Sequence, residues 1–149
     1  MSSRILAIDF GTKRMGLAVS DALGMTAQGL PTLQRTRIAD DLDHLRSLVE
    51  EYAVERVLVG KPIGHSGGET AMSQLVVEFA EKLRRRLPCP VELRDERLTS
   101  VEANRTLREA GLSIQKRQRA VDRVAAVLIL QSYLDYLENE RRRESQQGE

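Results

Sequence analysis

The chain has 149 residues, 41% of them apolar and 30% charged, with 23 Lys and Arg against 22 Asp and Glu. That is enough chain for one buried core, and it is too apolar for a disordered polymer. A net charge of +1 gives no strong sign of a polyanionic partner from the whole-molecule field, though local basic clusters could still bind one. The longest apolar stretch, Val124 to Leu130, is far short of the ~20 residues that span a bilayer. The opening residues Met1-Ser2-Ser3-Arg4 carry no charged-then-apolar leader. The lone Cys89, between Pro88 and Pro90, offers no intrachain disulfide and no thiolate zinc site. Together these features predict a cytoplasmic protein with no membrane partner. With no Trp and 3% aromatics, stacking platforms for single strands are not expected, and a nucleic acid would be held mainly by phosphate.

In chain order, Arg4 to Phe10 reads as a central strand covered on both faces, because its apolar run is continuous and not alternating. Gly11 to Arg14 is a turn, and Met15 to Ser20 returns as an antiparallel partner. A short third strand is expected over Leu30 to Gln34. Ile38, Leu42, Leu45, Leu48, Val49 and Tyr52 trace one face of a helix. Arg56 to Gly60 follows as a buried parallel strand, then a Gly-rich loop to Gly68 and a helix from Glu69 to Leu87. The inner side of that helix is expected to carry Met72, Leu75, Val76, Phe79, Ala80 and Leu83. Val91 to Arg94 is a further strand. Thr99 opens a helix through a capping box with Glu102, ending near Gly111. Leu112 to Arg119 reads as a polar, basic linker, and Ala120 to Arg141 as a long buried helix. These elements predict an α/β domain over residues 1–143, a mixed five-stranded sheet flanked by helices, with residues 144–149 a frayed tail.

Three acids stand where acids are expensive. Asp9 closes the most apolar strand, Asp95 and Glu96 close the last one, and Asp122 precedes the apolar core of the long helix. Buried carboxylates neutralise or find a cation, and three at one sheet edge would repel each other. Mg²⁺ or Mn²⁺ resolves this with oxygen ligands, and two such ions can clamp the attacking water and leaving oxygen of a phosphodiester. The bland alternatives are a turn cap for Asp9, pairing of Asp95 or Glu96 with Arg94 or Arg97, and a helix-dipole role for Asp122. Lys116, Arg117, Arg119 and Arg123 surround Asp122 and could neutralise a phosphate. His65 in the Gly-rich loop reads as merely exposed, and that loop lacks the order of a nucleotide-binding P-loop.

Four segments, Ile8 to Asp21, Val59 to Pro62, Asp95 to Ser100 and Val121 to Leu134, resemble in their order the signatures of the YqgF family. Its members are described as nucleases of pre-16S ribosomal RNA and were formerly described as Holliday-junction resolvases. The resemblance implies a ribonuclease-H-like fold and Mg²⁺- or Mn²⁺-dependent hydrolysis, trimming the 5′ end of the small-subunit rRNA precursor. Carried over by motif, the catalytic and metal-holding acids are Asp9, Glu96 and Asp122, with Glu96 preferred to Asp95 for its longer reach. Lys13, Arg97, Lys116, Arg117, Arg119 and Arg123 form the expected substrate-binding set. The implied partners are structured RNA, ribosomal precursor particles and, as an alternative substrate, branched DNA, for a monomer or homodimer. Lys61 departs from the family pattern, which usually has Leu between that Gly and Pro. Two rivals stand beside this reading: a noncatalytic RNA-binding assembly factor, and an actin-like ATPase. The ATPase reading shares the Asp9-Phe10-Gly11-Thr12 turn but needs two such domains.

Overall fold

A computed structural model of the chain describes residues 4–61, 70–95 and 114–147, the side chains of 114–123 and 147 excepted. The opening apolar run forms β1 (Arg4–Asp9), followed by β2 (Arg14–Ser20) and β3 (Ala27–Gln34). Then come α1 (Ile38–Glu51), β4 (Val54–Lys61), α2 (Ala71–Arg86), β5 (Val91–Asp95) and α3 (Ile114–Gln147). The strands form one sheet in the order β3-β2-β1-β4-β5. β1 pairs antiparallel with β2 and parallel with β4, and β4 runs parallel to β5, as the expected order requires.

β1 is central, and its side chains alternate between two cores. Leu6 and Ile8 join Leu42, Leu45 and Val49 of α1 and Val76, Phe79 and Leu83 of α2 on one face. Ile5 and Ala7 join Ala126, Ile129, Leu130 and Leu134 of α3 on the other. Each fully buried side chain of this size contributes about 1.5–3 kcal/mol through removal from water. The period-2 alternation of a strand decides which core each residue enters.

Several expectations change. β3 begins at Ala27 and not at Leu30, because an edge position tolerates Gly29 and Pro31, which weaken a strand signal. The basic stretch expected as a linker is helical from Ile114, since Gln, Lys and Arg are good helix formers whose polarity marks exposure, not a break. α3 also continues past Arg141 to Gln147, with ion pairs Arg141–Glu138, Arg142–Glu138 and Arg143–Glu140 along its surface. α2 starts at Ala71 behind a capping box between Thr70 and Ser73, and its Leu75 points outward at 43% exposure. The expected helix between Thr99 and Gly111 lies outside the described residues, as does His65.

α3 crosses its face in a defined direction. Ala27 N–H donates to Gln131 Oε1 at 3.2 Å, and Arg56 Nη1 donates to the Tyr133 hydroxyl at 2.9 Å. Ala27 pairs with Ser20 and Arg56 with Ile5, so both bonds lie where β1 begins. The exposed residues 141–146 continue beyond that rim, while Ala125 to Leu130 cover the sheet interior. Residues earlier in α3 therefore lie toward the opposite rim, where β1 ends.

Tyr133 is the anchor of that arrangement, with the Arg94 guanidinium 4.9 Å from its ring centroid. Burial, then the Glu92 charge, holds its phenol above the ordinary tyrosine range. A raised folded-state value means stability that is complete below the ordinary phenol range and is lost as pH climbs through the folded one. An absorbance titration of tyrosinate should therefore show a late-ionising component that Tyr133→Phe removes.

Candidate active site

The carboxyl ends of the parallel strands form one rim, and in open α/β sheets such rims are where ligands bind. Asp9 ends β1, Lys61 ends β4, and Asp95 ends β5 in direct register with Lys61. Asp9 is half-buried and has the alternation of Ile5 and Ala7, which puts it on the α3 face. Asp95 is exposed and has the alternation of Val91 and its neighbour Leu93, which puts it on the α1–α2 face. The two acids thus stand on opposite sides of the sheet. The Arg94 guanidinium lies over Tyr133 and Tyr136, 4.9 and 5.3 Å from their ring centroids.

Residue 122 sits in the third turn of α3, eight positions after its start at Ile114 and four before the buried Ala126. At 1.5 Å per residue that is ~6 Å beyond Ala126, toward the rim that Asp9 occupies. It is not one turn into the helix, as the sequence suggested, so a dipole role weakens: that effect falls off within the first turn. Positions 119 and 122 are three apart and share a helix face. Lys13 is exposed in the β1–β2 turn. Glu96 and Arg97 lie outside the described residues, as do the side chains of Lys116, Arg117, Arg119, Asp122 and Arg123. Among the described residues, no group of three potential ligands gathers.

The turn after Asp9 is clamped by residues the sequence reading missed. Arg35 N–H donates to the Lys13 carbonyl at 3.0 Å, and Arg35 Nη1 donates to the Gly11 carbonyl at 3.2 Å. Arg35 Nε donates to Asp41 Oδ2 at 3.3 Å, while Asp41 Oδ1 accepts from the Thr36 N–H and hydroxyl. Asp41 is 1% exposed, so its charge is tolerable only through these donors. The signal was present: Asp41 falls on the apolar stripe of α1, three residues after Ile38 and beside Leu42. The Arg35 guanidinium also lies 4.8 Å from the Phe10 ring centroid, and Phe79 lies 4.7 Å from it, centroid to centroid. Gly11 is required by space, since a Cβ there would sit 2.4 Å from the Arg14 carbonyl oxygen.

A family model described as "RuvX: Holliday junction resolvase" matches residues 3–136. The chain belongs to the RuvX/YqgF family. This RuvX-family chain is 53% identical over 132 residues to a Koribacter versatilis (strain Ellin345) protein named "Putative pre-16S rRNA nuclease", covering 89% of the chain and 86% of the relative. A Moorella thermoacetica (strain ATCC 39073 / JCM 9320) protein of the same name is 47% identical over 134 residues, covering 90% and 96%. Among solved structures, T. thermophilus RuvC in complex with Holliday junction substrate matches at a TM-score of 0.56 and 16% identity, covering 89% and 93%. The RuvX-family sheet is therefore of the ribonuclease-H-like class, as the resemblance implied.

Gly11→Ala should lower unfolding free energy by about 1–3 kcal/mol in urea titration, because the added methyl meets backbone. Arg35→Met should cost about 3 kcal/mol or more, because Asp41 is left buried with one donor fewer.

Proposed function

We propose that this chain is a divalent-metal-dependent nuclease in which Asp9, Glu96 and Asp122 hold Mg²⁺ or Mn²⁺ at the carboxyl rim of the sheet. The observation that carries it is Asp9 on the α3 face with the helix bringing position 122 toward the same rim. The donor set fits: carboxylate oxygens are the ligands these hard cations take. Asp95 lies on the other face, which supports Glu96 as the third acid. When bound, the metal supplies Lewis acidity toward the phosphodiester and lowers the pKa of water.

The chain's own groups do the rest. The clamped turn keeps Asp9 from moving with its loop, and geometric fixity of this kind is where much of a catalytic rate comes from. Lys13, four residues on and exposed, is available to a phosphate beside the scissile one. Lys116, Arg117, Arg119 and Arg123 flank position 122 on α3 and add positive charge for the same strand, with Arg97 beside Glu96. Residues 1–143 act in this reading as one nuclease domain, cytoplasmic, monomeric or homodimeric.

The substrate is structured RNA, with the 5′ end of pre-16S rRNA in ribosomal precursor particles as the physiological target. The names of the close relatives support this. Branched DNA is the second reading, supported by the family description. Wild type and Asp9→Asn should be incubated with a pre-16S 5′-leader RNA and with a four-way DNA junction, with and without Mn²⁺. Outer-shell changes at metal sites cost about 10–100-fold, so loss of a ligand should cost more than about 100-fold in cleavage rate. Equal cleavage by both proteins overturns the assignment. Tight RNA binding without cleavage by wild type favours the noncatalytic assembly factor.

A further inference from the structure

A cavity of about 290 Å³ opens on the α1–α2 side of the same rim, beneath the turn that follows Asp9. Phe10, Phe79 and Leu75 give it an apolar wall, and Thr12, Arg35, Glu78 and Lys82 stand at its polar side. The apolar wall is built in advance. Phe10 is held between the Arg35 guanidinium and the Phe79 ring, and Arg35 is itself tied to Asp41 and Gly11. Leu75 is 43% exposed there although its helix could have buried a leucine elsewhere. Glu78 and Lys82 are one helical turn apart and exposed, and among the described residues they make no ion pair with each other.

The chemistry of the lining selects a ligand class. Glu78 repels a bare phosphate and Lys82 repels a bare cation, while the Arg35 charge at the cavity is balanced by its ion pair with Asp41. A neutral planar ring satisfies both if its edge carries donors and acceptors and its faces are apolar. The volume is at the small end for ligand pockets and suits one ring system. Glu78 is an acceptor only and Lys82 a donor only. Guanine is the base with two adjacent N–H donors, N1–H and N2–H₂, for one carboxylate, and it presents O6 and N7 as acceptors for a cation. Phe10 follows Asp9 directly, ~3.8 Å away at Cα, and alternation sends the two side chains to opposite faces. Asp9 and the cavity thus share one rim on opposite faces, so a strand held at Asp9 reaches the cavity by passing over the β1–β2 turn.

We propose that this cavity is a base-recognition subsite that takes a guanine flanking the cleaved phosphodiester, with Glu78 accepting from N1–H and N2–H₂ and Lys82 donating to O6 or N7. The inference rests on the nuclease reading for the strand's presence, but base binding itself does not depend on cleavage.

The test titrates ¹⁵N-labelled full-length protein with GMP, AMP, CMP, UMP and inorganic phosphate, following amide shifts. GMP should move Thr12, Leu75 and Phe79 and bind about tenfold or more tighter than the other nucleotides, as a good bidentate contact provides. Glu78→Gln should erase that preference, and Lys82→Met should weaken GMP binding. Asp9→Asn should bind GMP as wild type does while losing cleavage. Equal affinity for all four nucleotides, the same shifts with phosphate alone, or an undiminished preference in folded Glu78→Gln would overturn the subsite. Cleavage by Asp9→Asn with GMP binding intact would instead overturn the nuclease site and leave the subsite standing.

Discussion

Because β1 lies in the middle of the sheet with helices on both sides, each of its residues must choose a face, and the pleat makes the choice strictly alternate. Ile5 and Ala7 serve one core, Leu6 and Ile8 the other. At the end of the strand the same constraint fixes where Asp9 and Phe10 point. Asp9 inherits the α3 side and Phe10 the α1–α2 side, so a carboxylate and an aromatic wall emerge on opposite sides of one rim. A one-residue slip in β1 would exchange them and also drive Leu6 and Ile8 into the wrong core. Core packing therefore protects the position of the carboxylate, although Asp9 itself contributes nothing apolar to it.

The turn that carries Asp9 into β2 depends on a second constraint, the buried charge of Asp41. An ion pair taken out of water contributes little net stability, but it becomes costly to break once formed. Here it orients Arg35, whose Nη1 donates to the Gly11 carbonyl and whose face covers Phe10. The first turn of α1, the end of β3 and the β1–β2 turn are thereby locked into one arrangement. Gly11 lets that turn close tightly on Arg14, where any side chain would collide with backbone. This clamp lies on the α1–α2 side, so the segment after Asp9 is held from behind while the carboxylate faces α3.

Much of this could be seen in the residue pattern, and the exceptions have definite causes. The continuous run of β1, the apolar stripe of α1 and the paired strand β2 follow from periodicity that neighbouring residues alone create. β3 was shortened because Pro31 and Gly29 argue against a strand unless it lies at an edge, and edge position is a property of the sheet. The basic start of α3 reads as a linker from its polarity, but Gln, Lys and Arg are good helix formers. Leu75 was expected inside because helical spacing says only which residues share a face, not how much of that face a partner covers. Asp41 escaped notice for the opposite reason: an acid on an apolar stripe reveals its purpose only when Arg35 is seen beside it.

The family was legible from ordered motifs, since residue types at fixed positions need no coordinates to be recognised. The chain by itself thus determined the order of strands and helices through β5 and the α/β class. Tertiary structure decided on which face of the sheet Asp9 and Asp95 stand. That Asp95 shares a face with Val91 and stands across the sheet from Asp9, and that α3 runs back toward the end of β1, depend on strand length and packing direction. These are set by contacts between segments distant in sequence, which no local pattern encodes.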